Sequence, residues 1–149
     1  MDATIAKIRK SAQVEIWVCL REFQSRQYVD VREHFLSGDD NKWHPTKRGI
    51  MVEPNLLSEI IAGVDLLTIT SQVGTVASIQ KSPRHEIQIG YRQFLKSTYG
   101  EIRVWYQPNG GEQKPSQKGV TFKMILTAGL LDALKQAEQY LEKAPALSL

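Results

Sequence analysis

The chain has 149 residues, 42% of them apolar and 23% charged, with 19 basic residues against 16 acidic ones for a net charge of +3. That balance describes a soluble globular chain and excludes a disordered or membrane-embedded one. The net charge is too mild to demonstrate a polyanionic partner by itself, so the distribution of cations matters more than their sum.

Residues 1–13 carry Lys7, Arg9 and Lys10 without a sustained apolar pattern and read as a basic N-terminal arm or a short helical lead-in. Alternation begins at residue 14. It puts Ile16, Val18 and Leu20 on one face of a strand over 14–21, and Glu15, Trp17, Cys19 and Arg21 on the other. A second strand over 26–35 buries Val29 and Val31 and turns Arg26, Tyr28, Asp30, Arg32 and His34 to the opposite face. Gly38 with Asp39 and Asp40 signals a turn, after which residues 42–44 form a short third strand and residues 49–52 a fourth. Pro54 suits the first position of a helix, which the apolar stripe Leu56, Ile60, Ile61, Val64 and Leu67 carries to residue 67. Residues 68–84 are small and polar and read as a linker with some strand character.

The plan then restarts. Ile87, Ile89 and Tyr91 stand 71 residues after Ile16, Val18 and Leu20, and Arg92 and Phe94 answer Arg21 and Phe23. A turn over 95–100, two residues longer than its counterpart, aligns Ile102 and Val104 with Val29 and Val31. Asn109-Gly110 marks a hairpin, and a final helix runs from residue 124 to 143 before a fraying tail over 144–149. The clearest repetition is at a spacing of 70. Pro45, Lys47-Arg48, Gly49 and the helix stripe return as Pro115, Gln117-Lys118, Gly119 and Leu126, Leu130, Leu131, Leu134 and Ala137. The fold class expected is α+β, two tandem ββββα repeats over 14–67 and 85–143, packed as an intrachain pseudo-dimer because a unit of about 70 residues buries too little surface alone.

The string Val18, Arg21-Glu22-Phe23, Val29-Asp30-Val31-Arg32-Glu33 and Pro45-Thr46-Lys47-Arg48-Gly49-Ile50, with Pro54 after it, resembles the single-stranded-DNA-binding domain of the positive cofactor four family of transcriptional coactivators. The second half resembles the family more faintly, through Arg92, Phe94, Val104, Pro115, Lys118-Gly119-Val120 and its helix. The resemblance implies four antiparallel strands and a helix working as a two-fold dimer whose sheets guide a single strand. By matching position it implies binding through Phe23, Arg26, Phe35, Lys47 and Arg48 in the first copy, and Phe94, Lys96 and Lys118 in the second. The sequence departs from the family at Gln24-Ser25-Arg26, where the family has a lysine-rich turn, and at Phe35, where it has tryptophan. Arg103-Val104-Trp105-Tyr106 stands where the acidic–apolar–basic–acidic run is expected, which implies unequal halves.

The chemistry agrees. A single strand offers unpaired base faces and phosphates, so its binder needs aromatic platforms beside cations. Arg21, Tyr28, Arg32, Trp43, Lys47 and Arg48, with Arg92, Arg103, Trp105, Lys114 and Lys118, supply both on expected strands. The competing reading makes Trp17, Trp43 and Trp105 core fillers and the phenylalanines buried. Enzymatic chemistry has little support: His34, His44 and Cys19 lack metal-ligand spacing, Asn109-Gly110-Gly111 is not followed by the Lys-Ser or Lys-Thr of a phosphate loop, and no nucleophile, base and orienting group come together. No cofactor, metal or membrane partner is expected; the run over 56–67, broken by Glu59 and Asp65, is far shorter than the roughly 20 residues of a span. With Cys19 as its one cysteine the chain can form no intrachain disulfide, which fits an intracellular setting: cytoplasm or nucleoid in a prokaryote or virus, nucleus in a eukaryote.

The leading expectation is a non-catalytic single-stranded-DNA-binding protein in transcription or in replication and repair, monomeric as a pseudo-dimer or paired with a second chain. The alternatives are a single-stranded-RNA binder of Whirly-like architecture and a module docking transcription or replication proteins.

Overall fold

The structure, a computed structural model, describes residues 2–143; the tail expected over 144–149 lies outside them. Two four-stranded antiparallel meanders follow one another, each ending in a helix. The first comprises β1 (Ala3–Ser11), β2 (Val14–Phe23), β3 (Arg26–Leu36), β4 (Trp43–Val52) and α1 (Leu57–Thr68). The second comprises β5 (Gly74–Ser82), β6 (His85–Phe94), β7 (Ser97–Tyr106), β8 (Lys114–Lys123) and α2 (Thr127–Lys143). Each helix is entered through one 3-10 turn, Pro54–Leu56 or Met124–Leu126.

Four expectations need correction. The arm over 1–13 contains β1, and the strand character expected in the linker over 68–84 amounts to a full strand of the second sheet, β5. Both strands carry a bulge at the same place, between Thr4 and Ala6 and between Thr75 and Ala77, which breaks the two-residue period by which a strand is recognised. The short third and fourth strands are one strand, β4, interrupted by a bulge opposite Arg32 and His34. The turn over 95–100 is not longer than its counterpart: Leu95-Lys96 match Gln24-Ser25, with Phe94 opposite Ser97 as Phe23 is opposite Arg26. The spacing is therefore 71 throughout the first three strands. Val31 matches Ile102, and Asp30-Val31-Arg32-Glu33 returns as Glu101-Ile102-Arg103-Val104.

Alternation along β2, β3 and β4 drives Ile16, Val18, Leu20, Val29, Val31, Ile50 and Val52 to one face of the first sheet, and their counterparts do the same in the second. The helices bury Leu57, Ile60, Val64 and Leu67 in α1, and Leu130, Leu131, Leu134 and Ala137 in α2, at the three- and four-residue spacing of an amphipathic helix. Leu56 and Ile61, expected in the stripe, are only half-buried.

The packing is crossed. α1 lies against α2 and against β5 and β6 of the second sheet, while α2 lies against β1 and β2 of the first. Gly63 permits that approach, since a Cβ there would stand 2.6 Å from Ile89 Cδ1 and 3.0 Å from Ala77 Cβ. Tyr91 locks it: its buried hydroxyl donates to the Leu67 carbonyl at the end of α1 (2.8 Å) and shares a hydrogen bond with Thr127 Oγ1 at the start of α2 (3.1 Å). The buried aliphatic and aromatic side chains of both meanders join one core, and β4 runs beside β8 at the seam between the sheets. Neither half closes its own core, because each sheet is covered by the helix of the other.

Volumes are matched across that core. The triple Leu20, Val29, Val52 stands side by side in the first sheet, and its counterpart is Tyr91, Gly100, Phe122. Two side chains have grown where one has vanished; a Cβ on Gly100 would press into the Phe122 ring.

Candidate nucleic-acid interface

The face of each sheet turned away from the helices carries a stripe set by strand parity. In the first sheet, cross-strand partners along it are Phe23–Arg26, Arg21–Tyr28, Cys19–Asp30, Trp17–Arg32 and Glu15–His34. In the second they are Phe94–Ser97, Arg92–Tyr99, Gly90–Glu101, Gln88–Arg103 and Glu86–Trp105.

At the centre of each stripe one buried carboxylate is shared by two guanidinium groups. Asp30 receives Arg32 at 3.0 Å and Arg21 at 3.4 Å; Glu101 receives Arg92 and Arg103, both at 3.0 Å. In the second half two cations around one anion leave the bracket with a net positive charge, whereas in the first Arg21 also meets Asp2 (3.5 Å), which balances the second cation. Burying Asp30 and Glu101 is tolerable because each is doubly paired.

The same arginines brace the basic step. Arg32 donates to the Thr46 carbonyl (2.9 Å) and Arg103 to the Ser116 carbonyl (2.7 Å). The Thr46 hydroxyl donates to the Glu33 carbonyl (2.9 Å) and accepts from the Arg48 N–H (3.1 Å); Ser116 repeats both bonds with Val104 (2.8 Å) and Lys118 (3.0 Å). Thr46-Lys47-Arg48 and Ser116-Gln117-Lys118 are thus bulges out of the ladder, which aim Lys47, Arg48 and Lys118 into solvent. Gly49 serves this arrangement sterically, because the Arg32 side chain lies across it and a Cβ would meet Arg32 Cζ at 2.6 Å.

The aromatic parts differ between the halves. Trp17 stacks on His34 with ring centroids 4.0 Å apart, has Lys7 Nζ 4.2 Å above it and Trp43 tilted beside it at 6.4 Å, and donates its indole N–H to Glu15 (3.0 Å). Burial of His34, only 2% exposed, pushes its imidazole below the ordinary value. In the second half Arg92 lies 5.8 Å over Trp105, whose buried indole N–H has no hydrogen-bond partner among the described residues.

The structure brings most of the expected residues together. Arg21, Tyr28, Arg32 and Trp43 share the first face, Arg92, Arg103 and Trp105 the second, and Lys47, Arg48 and Lys118 the seam where β4 and β8 meet. Phe23, Arg26, Phe94 and Lys96 stand at the exposed hairpin tips, with Phe23 58% and Phe94 64% exposed. Two fall elsewhere: Phe35 has the opposite parity, tilted against His44 at 5.7 Å, and Lys114 stands opposite Tyr106, the counterpart of Phe35, on that same side. Sequence reasoning left out Lys7, Trp17, His34 and Tyr99, although the alternation of β2 and β3 had already put Trp17 and His34 on the Arg21 face. Among the described residues there is no cluster of three potential metal ligands, and no helix is long and apolar enough to cross a membrane.

Two ββββα units thus exchange helices over a common core and carry cations and aromatics on their outer sheet faces. The family model described as transcriptional coactivator p15 (PC4) matches residues 9–63 and again 81–136, and the chain belongs to that family, in two tandem copies. Among solved structures it is similar to a PC4 homologue from Burkholderia pseudomallei K96243. In the orthorhombic crystal form the identity is 36%, over 46% of this chain and 92% of that one, with a TM-score of 0.44; in the tetragonal form it is 38%, over 44% and 96%, with a TM-score of 0.42. No curated protein matches the chain. The family is nucleic-acid-binding and non-enzymatic.

Proposed function

We propose that this protein is a non-catalytic single-stranded-DNA-binding protein of coactivator type, working as a monomeric pseudo-dimer in transcription regulation or in replication and repair. The observation that carries the reading is the repeated stripe: a doubly paired carboxylate between two arginines, flanked by aromatics and ending at a braced basic bulge, once on each sheet. Exposed bulge cations meet phosphates, while Phe23, Tyr28, Trp43, Phe94, Tyr99 and Trp105 offer ring surface to bases, at about 1–3 kcal/mol per stacked base. The paired arginines of both brackets are held in place without the entropy of free side chains, and those on Glu101 keep one positive charge in excess.

Fluorescence anisotropy with single-stranded DNA, duplex and RNA of one sequence, across a salt series, tests the reading. Tightest binding to single-stranded DNA, weakening steeply with salt, is expected. Equal affinity for duplex, or no binding to any oligonucleotide, refutes it; a preference for RNA moves the ligand to that class. Light scattering at 16.9 kDa, the mass of one chain, checks the monomer.

A further inference from the structure

The repeat matches Lys10 with Lys81, Glu33 with Val104, and Thr121 with Met51, and the two sets have opposite electrostatics. Lys10 Nζ lies 2.6 Å from the buried Glu33 carboxylate and 3.4 Å from Thr121 Oγ1. At the matching place Lys81 meets the positions of valine and methionine, neither of which can pair with an ammonium. It makes no ion pair with a described residue, and among the described carboxylates the field of Glu53 reaches it. Instead Lys81 shares a groove of about 480 Å³ at the β4–β8 seam with Lys47 and Lys118, beside Arg32, Met51 and Ser116. Although the Lys81 side chain is exposed, partial desolvation by the groove first, and repulsion from Lys118 second, push its ammonium below the ordinary value. Neither Lys47 nor Lys118 forms an ion pair with a described residue. Three lysines thus line one groove with no acidic side chain in its lining, and Lys118 is close enough to repel Lys81.

We propose that this groove binds one phosphate group through Lys47, Lys81 and Lys118, and that its twin, where Glu33 already neutralises Lys10, does not. The non-bridging oxygens of a phosphate can each accept from more than one ammonium group, and no acidic side chain lines the groove to compete. Resting on the single-strand reading, the phosphate is a backbone phosphodiester, and the bound strand is anchored on one side of the seam only. A chain that carries both copies can hold such an asymmetric site; a symmetric pair of identical subunits cannot.

Two measurements on the full chain test this. In the first, inorganic phosphate is titrated while backbone amide NMR shifts are followed in the wild type, Lys81→Gln, Val104→Glu and the control Lys135→Gln on the exposed side of α2. Saturable shifts at residues 80–82 and 116–118 are expected in the wild type and in Lys135→Gln, and are expected to vanish in Lys81→Gln. They should also vanish in Val104→Glu, which restores the carboxylate of the twin. Shifts that do not saturate, or that persist in Lys81→Gln, overturn the site. In the second, the slope of log affinity against log salt is measured for a single-stranded oligothymidylate. Lys81→Gln should lower it by about 0.7, one phosphate on a single strand, and Lys135→Gln should leave it alone. An unchanged slope with phosphate shifts that depend on Lys81 keeps the site and makes its ligand a free phosphate. A wild type that binds phosphate but no oligonucleotide keeps the site and removes the single-strand reading.

Discussion

Substituting Leu130 with alanine tests whether the two repeats are one folding unit. Leu130 is fully buried in α2, the helix that covers β1 and β2 of the other repeat. Its loss removes transfer free energy and leaves a cavity, together about 3–5 kcal/mol for a site as enclosed as this. Unfolding entropy of about 2.1 cal/mol/K per residue, over a chain of this length, gives roughly 0.3 kcal/mol/K, so the melting temperature should fall by about 10–15 °C. The assay is calorimetry paired with tryptophan fluorescence in a Trp105→Phe background, where Trp17 and Trp43 report on the first repeat alone. A second-repeat substitution should then shift the first-repeat signal fully, in a single transition coincident with the calorimetric one. Two transitions, or a Trp17/Trp43 signal that stays in place while the heat peak moves, would refute the shared core and return the protein to two independent domains.

Replacing Arg48 and Lys118 together by glutamine should lower the salt slope for single-stranded DNA by about 1.4, whereas exchanging Lys135 and Lys143 on α2 should leave it unchanged. Gly100→Val should cost about 1–3 kcal/mol by overpacking against Phe122, and Phe122→Val a similar amount by leaving a void, yet the double variant, which rebuilds the Val29–Val52 pair of the first sheet, should cost at least about 1 kcal/mol less than their sum in urea unfolding. Strict additivity would disprove that pairing. Burial holds the His34 imidazole below its ordinary value near 6.5, so the unfolded chain takes up that proton more readily; the stability this contributes is full above about pH 6.5 and is lost as pH falls toward the folded value. His34→Phe, which keeps a ring on Trp17, should therefore flatten the decline of the urea midpoint between pH 7 and 5. Trp105→Ala should weaken single-strand binding by about 1–3 kcal/mol at constant salt slope, since it removes a ring and no charge.

The helices were legible because Ile60, Val64 and Leu67, and Leu130, Leu134 and Ala137, keep a strict helical period with nothing to interrupt it. β1 and β5 were not, for a physical reason that applies to both: a bulge after the first two residues throws the alternation out of phase, and an edge strand half-covered by the other repeat's helix needs few large apolar residues. The signal was there in another form, since Thr4-Ile5-Ala6, Ile8 and Lys10-Ser11 return as Thr75-Val76-Ala77, Ile79 and Lys81-Ser82 at the spacing of 71. The second hairpin misled for lack of turn chemistry: Leu95 adopts φ 55° without being glycine or asparagine. In the site, strand parity alone put Arg21, Tyr28, Arg32 and Trp17 on one face. The carboxylate bracket was hidden because Arg21 and Asp30 are nine residues apart and meet only once the hairpin register is fixed.

Crossed helices also explain where the halves are free to differ. A core residue of one repeat faces the other, so a change in either must be answered nearby, as Gly100 answers Phe122; Ile16, Val18 and Val31 remain Ile87, Ile89 and Ile102. The bracketing acids are equally constrained, for Asp30 or Glu101 without both arginines becomes a buried unpaired charge, and each returns with its arginines intact. Glu33 sits under a lighter constraint. Its partner Lys10 lies at the rim, so the matching carboxylate can give way to Val104 with the lysine kept and water able to reach it. Divergence between the repeats is thus channelled to the seam and to the aromatic positions above it, which are the places where a bound strand would sense the difference between one half and the other.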